Sequence, residues 1–269
     1  MFDVAKYLRR IGVDPQTGPP TLELLAQLQL AHLVHVPFEN LHVYHHRQPR
    51  TDVDWSYRKI VDERRGGWCF EVNGAFNALL DAVGFGATPA SCQVWEADVG
   101  RWGVPFDHLA SIVHLHGTRW FVDVGFGDCC LEPLELTDIE RHAVPRRVRT
   151  ELEQSCDGEH FLLHELMPAD EGSPPRWEPQ LRVSVQPRTL DEFTPRSTYL
   201  KTHPGLSWQE KAFATRAVDG TGSRITLRTA LLRRRVGTSA MVDEEVPSAE
   251  WSGVLLEHFG LVDTLTRLA

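Results

Sequence analysis

The sequence predicts an α+β chain in three parts, and three observations carry that prediction. Apolar residues recur at three- and four-residue steps up to about residue 85, the period of a helix face. Between about 90 and 190 they give way to short apolar runs bounded by Gly, Pro and Asp, the texture of strands. After about residue 190 strand-like and helix-like stretches mix. The expected divisions are therefore 1–86, 87–190 and 191–269.

Each element has its own local reason. Val4, Tyr7, Leu8 and Ile11 mark one face of a first helix that stops at Gly12. Thr21 caps a second helix carrying Leu24, Leu25, Leu28 and Leu33, and Pro37 ends it. A third begins at Cys69, with Val72, Phe76, Leu79, Leu80 and Val83 on its apolar side and Gly84 as its stop. On the same helix Asn73, Asn77 and Asp81 form an i, i+4 polar stripe. Strands are expected over Ser91–Trp95, Leu109–Leu115, Trp120–Val124, Phe161–Leu166 and Leu181–Val185, with residues 170–175 as an exposed hairpin loop. Further on, Ile225–Leu227 and Ala230–Leu232 read as strands, and Ser248 caps a terminal helix bearing Trp251, Val254, Leu255 and Phe259.

Charge and cysteine usage narrow the functional classes. With 28 basic against 37 acidic residues the formal charge is -9, which disfavours nucleic acid or an anionic membrane surface as partner and leaves small molecules. The five cysteines show no C-x-x-C spacing, so neither a disulfide framework nor a metal site is expected. The first residues lack the apolar run of a signal peptide, and no stretch reaches the roughly 20 apolar residues of a membrane span. The expected location is a reducing cytoplasm.

The chemistry centres on Arg64-Arg65-Gly66-Gly67-Trp68-Cys69-Phe70-Glu71, where a glycine turn becomes a helix. Free N–H groups and the helix dipole at such a start favour a thiolate, which makes Cys69 a candidate nucleophile. Gly66 and Gly67, lacking side chains, would permit positive φ and let a ligand approach the backbone beside the sulfur. The same pattern also fits a small buried core cysteine, and only a partner base elsewhere separates the two.

A base and its orienter lie on one predicted hairpin, Asp107 to Gly127. If His116-Gly117 is a two-residue type I′ turn, Leu115 pairs with Thr118, and His108 and Asp123 fall on one face as diagonal neighbours. A register slipped by one residue would put Asp123 on the other face. An acidic residue inside Trp120-Phe121-Val122-Asp123-Val124 needs a partner if it is buried; the alternative is a hairpin edge with Asp123 in solvent. His114 shares the face of His108 but lies nearer the turn. Gly125-Phe126-Gly127 offers backbone N–H groups beside this pair.

Taken together, these residues resemble the arylamine N-acetyltransferases. The resemblance rests on Val36-Pro37-Phe38-Glu39-Asn40-Leu41, Arg65-Gly66-Gly67-Trp68-Cys69-Phe70-Glu71, His108-Leu109, Val122-Asp123-Val124-Gly125-Phe126-Gly127 and the terminal Glu257-His258-Phe259-Gly260-Leu261. It implies a helical bundle, a β-barrel and an α/β lid around a Cys-His-Asp triad similar to papain-like and transglutaminase-like enzymes. It further implies that Cys69 takes an acetyl group from acetyl-CoA, that His108 is its base and Asp123 the orienter, and that an arylamine or arylhydrazine is the acceptor. Phe38 and Phe126 would line the substrate pocket, Gly125 and Gly127 would meet the coenzyme, and Glu39 with Arg64 would brace the catalytic loop. The family's usual Gln or Leu after Cys-Phe-Glu is Val72 here. Cationic candidates for the coenzyme phosphates are Lys201, Arg224, Arg228 and Arg233-Arg234-Arg235, the last more ordinary as a solvated face. Competing readings are an ansamycin-type amide synthase on the same fold, a cysteine hydrolase or transglutaminase-like enzyme, and a binding domain that keeps the fold without catalysis.

Overall fold

The computed structural model describes residues 2–15, 18–128, 130–169 and 174–263. Cys129 and most of the expected 170–175 loop lie outside them. The N-terminal part holds α1 (Val4–Arg10), α2 (Leu22–His35), a two-residue strand β1 (Phe38–Glu39), α3 (Leu41–Tyr44), α4 (Val53–Tyr57) continued by a π turn (Arg58–Asp62), and α5 (Cys69–Ala82). Asp3 and Thr21 cap α1 and α2 through their side chains, at Lys6 and Leu24. Gly12 and Gly84, both with positive φ, follow α1 and α5.

Helix α5 is buried nearly all round, which the stripe of Asn73 and Asn77 does not at first sight allow. Its polar stripe faces protein. Asn77 Nδ2 donates to Ser111 Oγ at 2.9 Å and Asn73 Nδ2 to Leu109 O at 2.6 Å, so the stripe docks the helix onto a strand rather than onto water. Asp81, at the far end of the stripe, is exposed.

The central sheet is a nearly closed barrel. Its strands are β2 (Ala87–Glu96), β3 (Arg101–Trp102), β4 (His108–Leu115), β5 (Thr118–Val122), β6 (Leu134–Glu135), β7 (Ile139–Ala143), β8 (Arg146–Ser155), β9 (Gly158–Met167) and β10 (Arg176–Ser184). The order is β6-β5-β4-β2-β10-β9-β8-β7, with β3 beside β2 and every pairing antiparallel. Ala90, Cys92, Ala110, Ile112, Phe121, Phe161 and Leu181 are among the residues that fill its interior.

The C-terminal part forms the lid. A 3₁₀ turn (Leu190–Phe193) leads into α6 (Thr194–Thr202), α7 (Ser207–Glu210), β11 (Phe213–Ala217), β12 (Arg224–Arg228), β13 (Leu231–Arg235), β14 (Val242–Glu245) and α8 (Trp251–Phe259). Ser248 does not cap α8. Glu250 holds the cap position with no side-chain bond, and the helix ends at Gly260 in the left-handed conformation. The lid sheet runs β1-β11-β12-β13-β14, so the helical part contributes a strand to it. Among the described residues no helix is long and apolar enough to cross a membrane.

Candidate active site

Three segments distant in sequence meet at the start of α5. Phe38 bridges Gly67, Glu39 N donates to Gly67 O at 2.9 Å, and Gly67 N donates to Pro37 O at 3.3 Å. This stitch brings the 36–41 and 65–71 segments together. Gly66 and Gly67 serve it directly. A Cβ at Gly66 would lie 2.0 Å from Pro37 O and one at Gly67 2.8 Å from Glu71 Oε2, so their missing side chains make room for protein. Neither has positive φ, and the space left by their missing side chains is filled by protein.

Beneath the loop lies a buried charge network. Lys59 Nζ sits 2.6 Å from Glu71 Oε2 and 3.5 Å from Glu39 Oε1, and Arg65 Nη2 is 3.5 Å from Glu39 Oε1. Glu71 Oε2 also accepts from Trp68 N at 3.2 Å, closing the first turn from the side-chain side. Burial alone would raise the Glu39 carboxyl, but Lys59 and Arg65 hold it well below the usual carboxylate range, at about 2. The expected Glu39–Arg64 pair is thus Glu39 with Arg65 and Lys59. Arg64 is exposed, with positive φ, and offers its carbonyl to Arg10.

The hairpin has the register its turn dictates. Leu115 pairs with Thr118 and Ser111 with Val122 around His116 and Gly117, both with positive φ. His108 and Asp123 are therefore on one face. His108 Nε2 lies 2.7 Å from Asp123 Oδ2, with the two residues 3% and 4% exposed. His114, the rival, is exposed.

Asp123 takes Nε2, which leaves Nδ1 as the ring nitrogen available to the Cys69 thiol. Burial opposes charge on His108, but the Asp123 carboxylate and Cys69 outweigh it and raise its pKa. The other oxygen of Asp123 accepts from Asn73 Nδ2 at 2.9 Å and Gly125 N at 2.8 Å, and Asn73 Oδ1 accepts from Val124 N at 2.9 Å. Asn73 therefore clamps the end of the hairpin onto the helix that begins with Cys69. Cys69, itself 4% exposed, is the first residue of α5, where backbone N–H groups have no acceptor within the helix.

Gly125 has a task within the protein. Its N–H is committed to Asp123, and a Cβ would lie 2.7 Å from Val72 Cγ2 and 3.0 Å from the Cys69 Cα, so the glycine allows helix and hairpin to touch. This contact also gives Val72 a packing role. Phe126 stands edge-on to His108, ring centres 5.2 Å apart, and with Phe38 and Gly127 lines a cavity of about 720 Å³ between barrel and lid.

The cavity's aromatic wall joins residues that the sequence did not single out. Phe38 packs edge-on against Trp208 and Phe213. Asn40 fixes them there: its Nδ2 donates to Trp208 O at 2.9 Å and Lys211 O at 2.8 Å, and its Oδ1 accepts from Phe213 N at 2.9 Å. Of the cationic candidates, Arg224, Arg228 and Arg233 line the cavity, whereas Lys201 reaches Pro49 O elsewhere. Arg233, Arg234 and Arg235 pair with Asp243, Glu244 and Asp128. Among the described residues no group of three or more His, Cys, Asp or Glu side chains could hold a metal ion.

Known proteins resemble this chain over most of its length. A family model described as N-acetyltransferase matches residues 21–266. The chain is 28% identical over 242 residues to arylamine N-acetyltransferase 2 of Rattus norvegicus, covering 84% of this chain and 83% of that one. It is 33% identical over 204 residues to proansamycin X synthase of Amycolatopsis mediterranei (strain S699), covering 72% of each. The solved arylamine N-acetyltransferase of Salmonella typhimurium matches it with a TM-score of 0.85 at 25% identity, over 96% of this chain and 90% of that one. With a family match over nearly its whole length, the chain belongs to the arylamine N-acetyltransferases, a family of acyltransferases.

Proposed function

We propose that the protein moves an acetyl group from acetyl-CoA to the nitrogen of an arylamine or arylhydrazine through an acetyl-Cys69 intermediate. The observation that carries this reading is the buried Cys69-His108-Asp123 arrangement, one aromatic ring away from a cavity large enough for small molecules. The Cys69 thiolate attacks the thioester carbonyl, the carbon–sulfur bond to the coenzyme breaks, and the departing thiolate takes the proton held on His108. The amine then attacks the acetyl-cysteine, itself a thioester, and passes a proton to His108 as the Cys69 thiolate leaves. Backbone N–H groups in the first turn of α5 are suited to receive the developing oxyanion. Phe38 and Phe126 serve as substrate-binding residues, and Gly127 is a candidate for a coenzyme contact.

Burial of the triad favours transfer over hydrolysis. An acyl-cysteine survives for an amine only where water is kept out, and a peptide chain needs an open cleft. A second reading, amide-bond formation on a larger acyl chain, draws support from the 33% identity to proansamycin X synthase. One incubation separates the two. With acetyl-CoA and a simple arylamine or arylhydrazine, the first reading expects free coenzyme and N-acetylated product in equal amounts. No product with acetyl-CoA, but turnover of a larger acyl thioester carrying its own aryl amine, would favour the second.

A further inference from the structure

The loop that follows Asp123 ends in a carboxylate that the mechanism does not use. Asp128 lies just beyond Phe126 and Gly127, and its partners come from two other parts of the chain. Arg235 of the lid grips it through both nitrogens, Nη1 to Oδ2 at 2.5 Å and Nη2 to Oδ1 at 2.6 Å. Arg224 of the lid places Nε 3.2 Å from Oδ1, and Arg146 of the barrel donates Nη2 to Oδ2 at 3.0 Å. Both oxygens are thus filled, so this carboxylate is a poor proton acceptor for a reacting amine.

The guanidiniums are anchored in turn. Arg235 Nε donates to Gly222 O at 2.8 Å and Arg224 Nη1 to Thr215 Oγ1 at 3.0 Å, and the side chains of both are at most 5% exposed. Glu165 of β9 completes the surroundings, 3.6 Å from Arg146. A carboxylate gripped through both oxygens by a rigid fork fixes position and orientation, not only distance. Without it, three like charges would face one another across the junction of barrel and lid.

We propose that Asp128 is a positioning residue: by tying its loop to lid strands β12 and β13 and to barrel strand β8, it holds Phe126 against His108 and sets the shape of the substrate cavity. This inference rests on the acyl-transfer reading for its kinetic consequence, while its structural consequence is open to a separate probe. Asp128→Asn keeps size and loses charge. Arg235→Lys keeps charge and loses the two-pronged grip. Each variant is treated with iodoacetamide and with a bulky pyrene maleimide, and labelling at Cys69 is followed by peptide mass spectrometry. Loosening of the cavity wall should raise the maleimide rate at least tenfold relative to the iodoacetamide rate. With acetyl-CoA and an arylamine, KM should rise at least tenfold, and Asp128→Glu should return it to within threefold of the parent.

An unchanged ratio of the two labelling rates in both variants overturns the proposal, whatever the enzyme transfers. So does a fall in both rates together, which would place the residue in general support of the triad. If Asp128→Asn does not fold, Arg235→Lys decides by the same criteria. A shifted labelling ratio in the variants of a parent protein that itself acetylates nothing would support the anchoring of the loop and overturn the transfer reading instead.

Discussion

Asp123 decides how the His108 ring is used, because its two oxygens have separate tasks. Oδ1 is occupied by Asn73 and Gly125, so Oδ2 has one orientation in which to meet His108. That fixes which ring nitrogen faces the thiol and stabilises the imidazolium that forms when the thiol gives up its proton. In Asp123→Asn the amide keeps the shape and loses the charge, and turnover should fall by about 10⁴-fold, as at comparable triads. The check is the initial rate of coenzyme release; a drop under tenfold would point to another orienter. The pair was legible in the sequence because parity along two strands and a Gly-containing turn place it, and because an Asp inside an apolar strand needs a reason. Asn73 was visible only as a polar stripe. Its contacts with Leu109, Asp123 and Val124 depend on how a helix docks on a hairpin, which neither segment encodes alone.

At the scale of elements, the start of α5 is set by what lies under it. Glu39 arrives on β1, Lys59 from the π turn, Arg65 and Glu71 from the two sides of the nucleophile loop. In the sequence Glu39 was readable as a brace of the catalytic loop, whereas Glu71 stood only as a member of the Cys69 motif. Lys59 was not, since a lysine amid Arg58 and Ile60 looks like any helix surface residue. Its burial at 2% follows only once two carboxylates are seen converging on it. The linkage has a definite sign. A carboxyl held at about 2 in the folded state, against an ordinary 4.5, adds stability that is present above about pH 4.5 and lost as pH falls toward 2. Its size is of order 3 kcal/mol. Glu39→Gln should therefore be less stable than the parent at neutral pH and should flatten the acid limb of stability against pH, measured by urea unfolding between pH 6 and pH 3. An unchanged acid limb would show that Glu39 titrates alike in both states.

At the scale of the whole molecule, the three parts expected from the texture of the sequence are linked more closely than that texture implies. β1 of the helical part is the edge strand of the lid sheet, pairing Phe38 with Thr215 and Glu39 with Ala214, and Asn40 holds the Trp208–Phe213 segment against it. The loop after Asp123, strand β1 and the lid thus border a common cavity. The strand-rich middle was readable from its short apolar runs, but its closure into a barrel under a lid came only through the family resemblance, because it depends on pairings such as β2 with β10 across some ninety residues. With that cavity one aromatic ring from the buried triad, the two substrates are expected to use the same space in turn, with the acyl group waiting on Cys69 between them. The most direct test is to mix the protein with acetyl-CoA in the absence of any acceptor and follow both coenzyme release and the intact protein mass. The expected result is release of about one coenzyme per chain and a single added acetyl group mapped to Cys69, discharged when an arylamine is added. Release of no coenzyme without an acceptor, or an acetyl group found elsewhere, would contradict it.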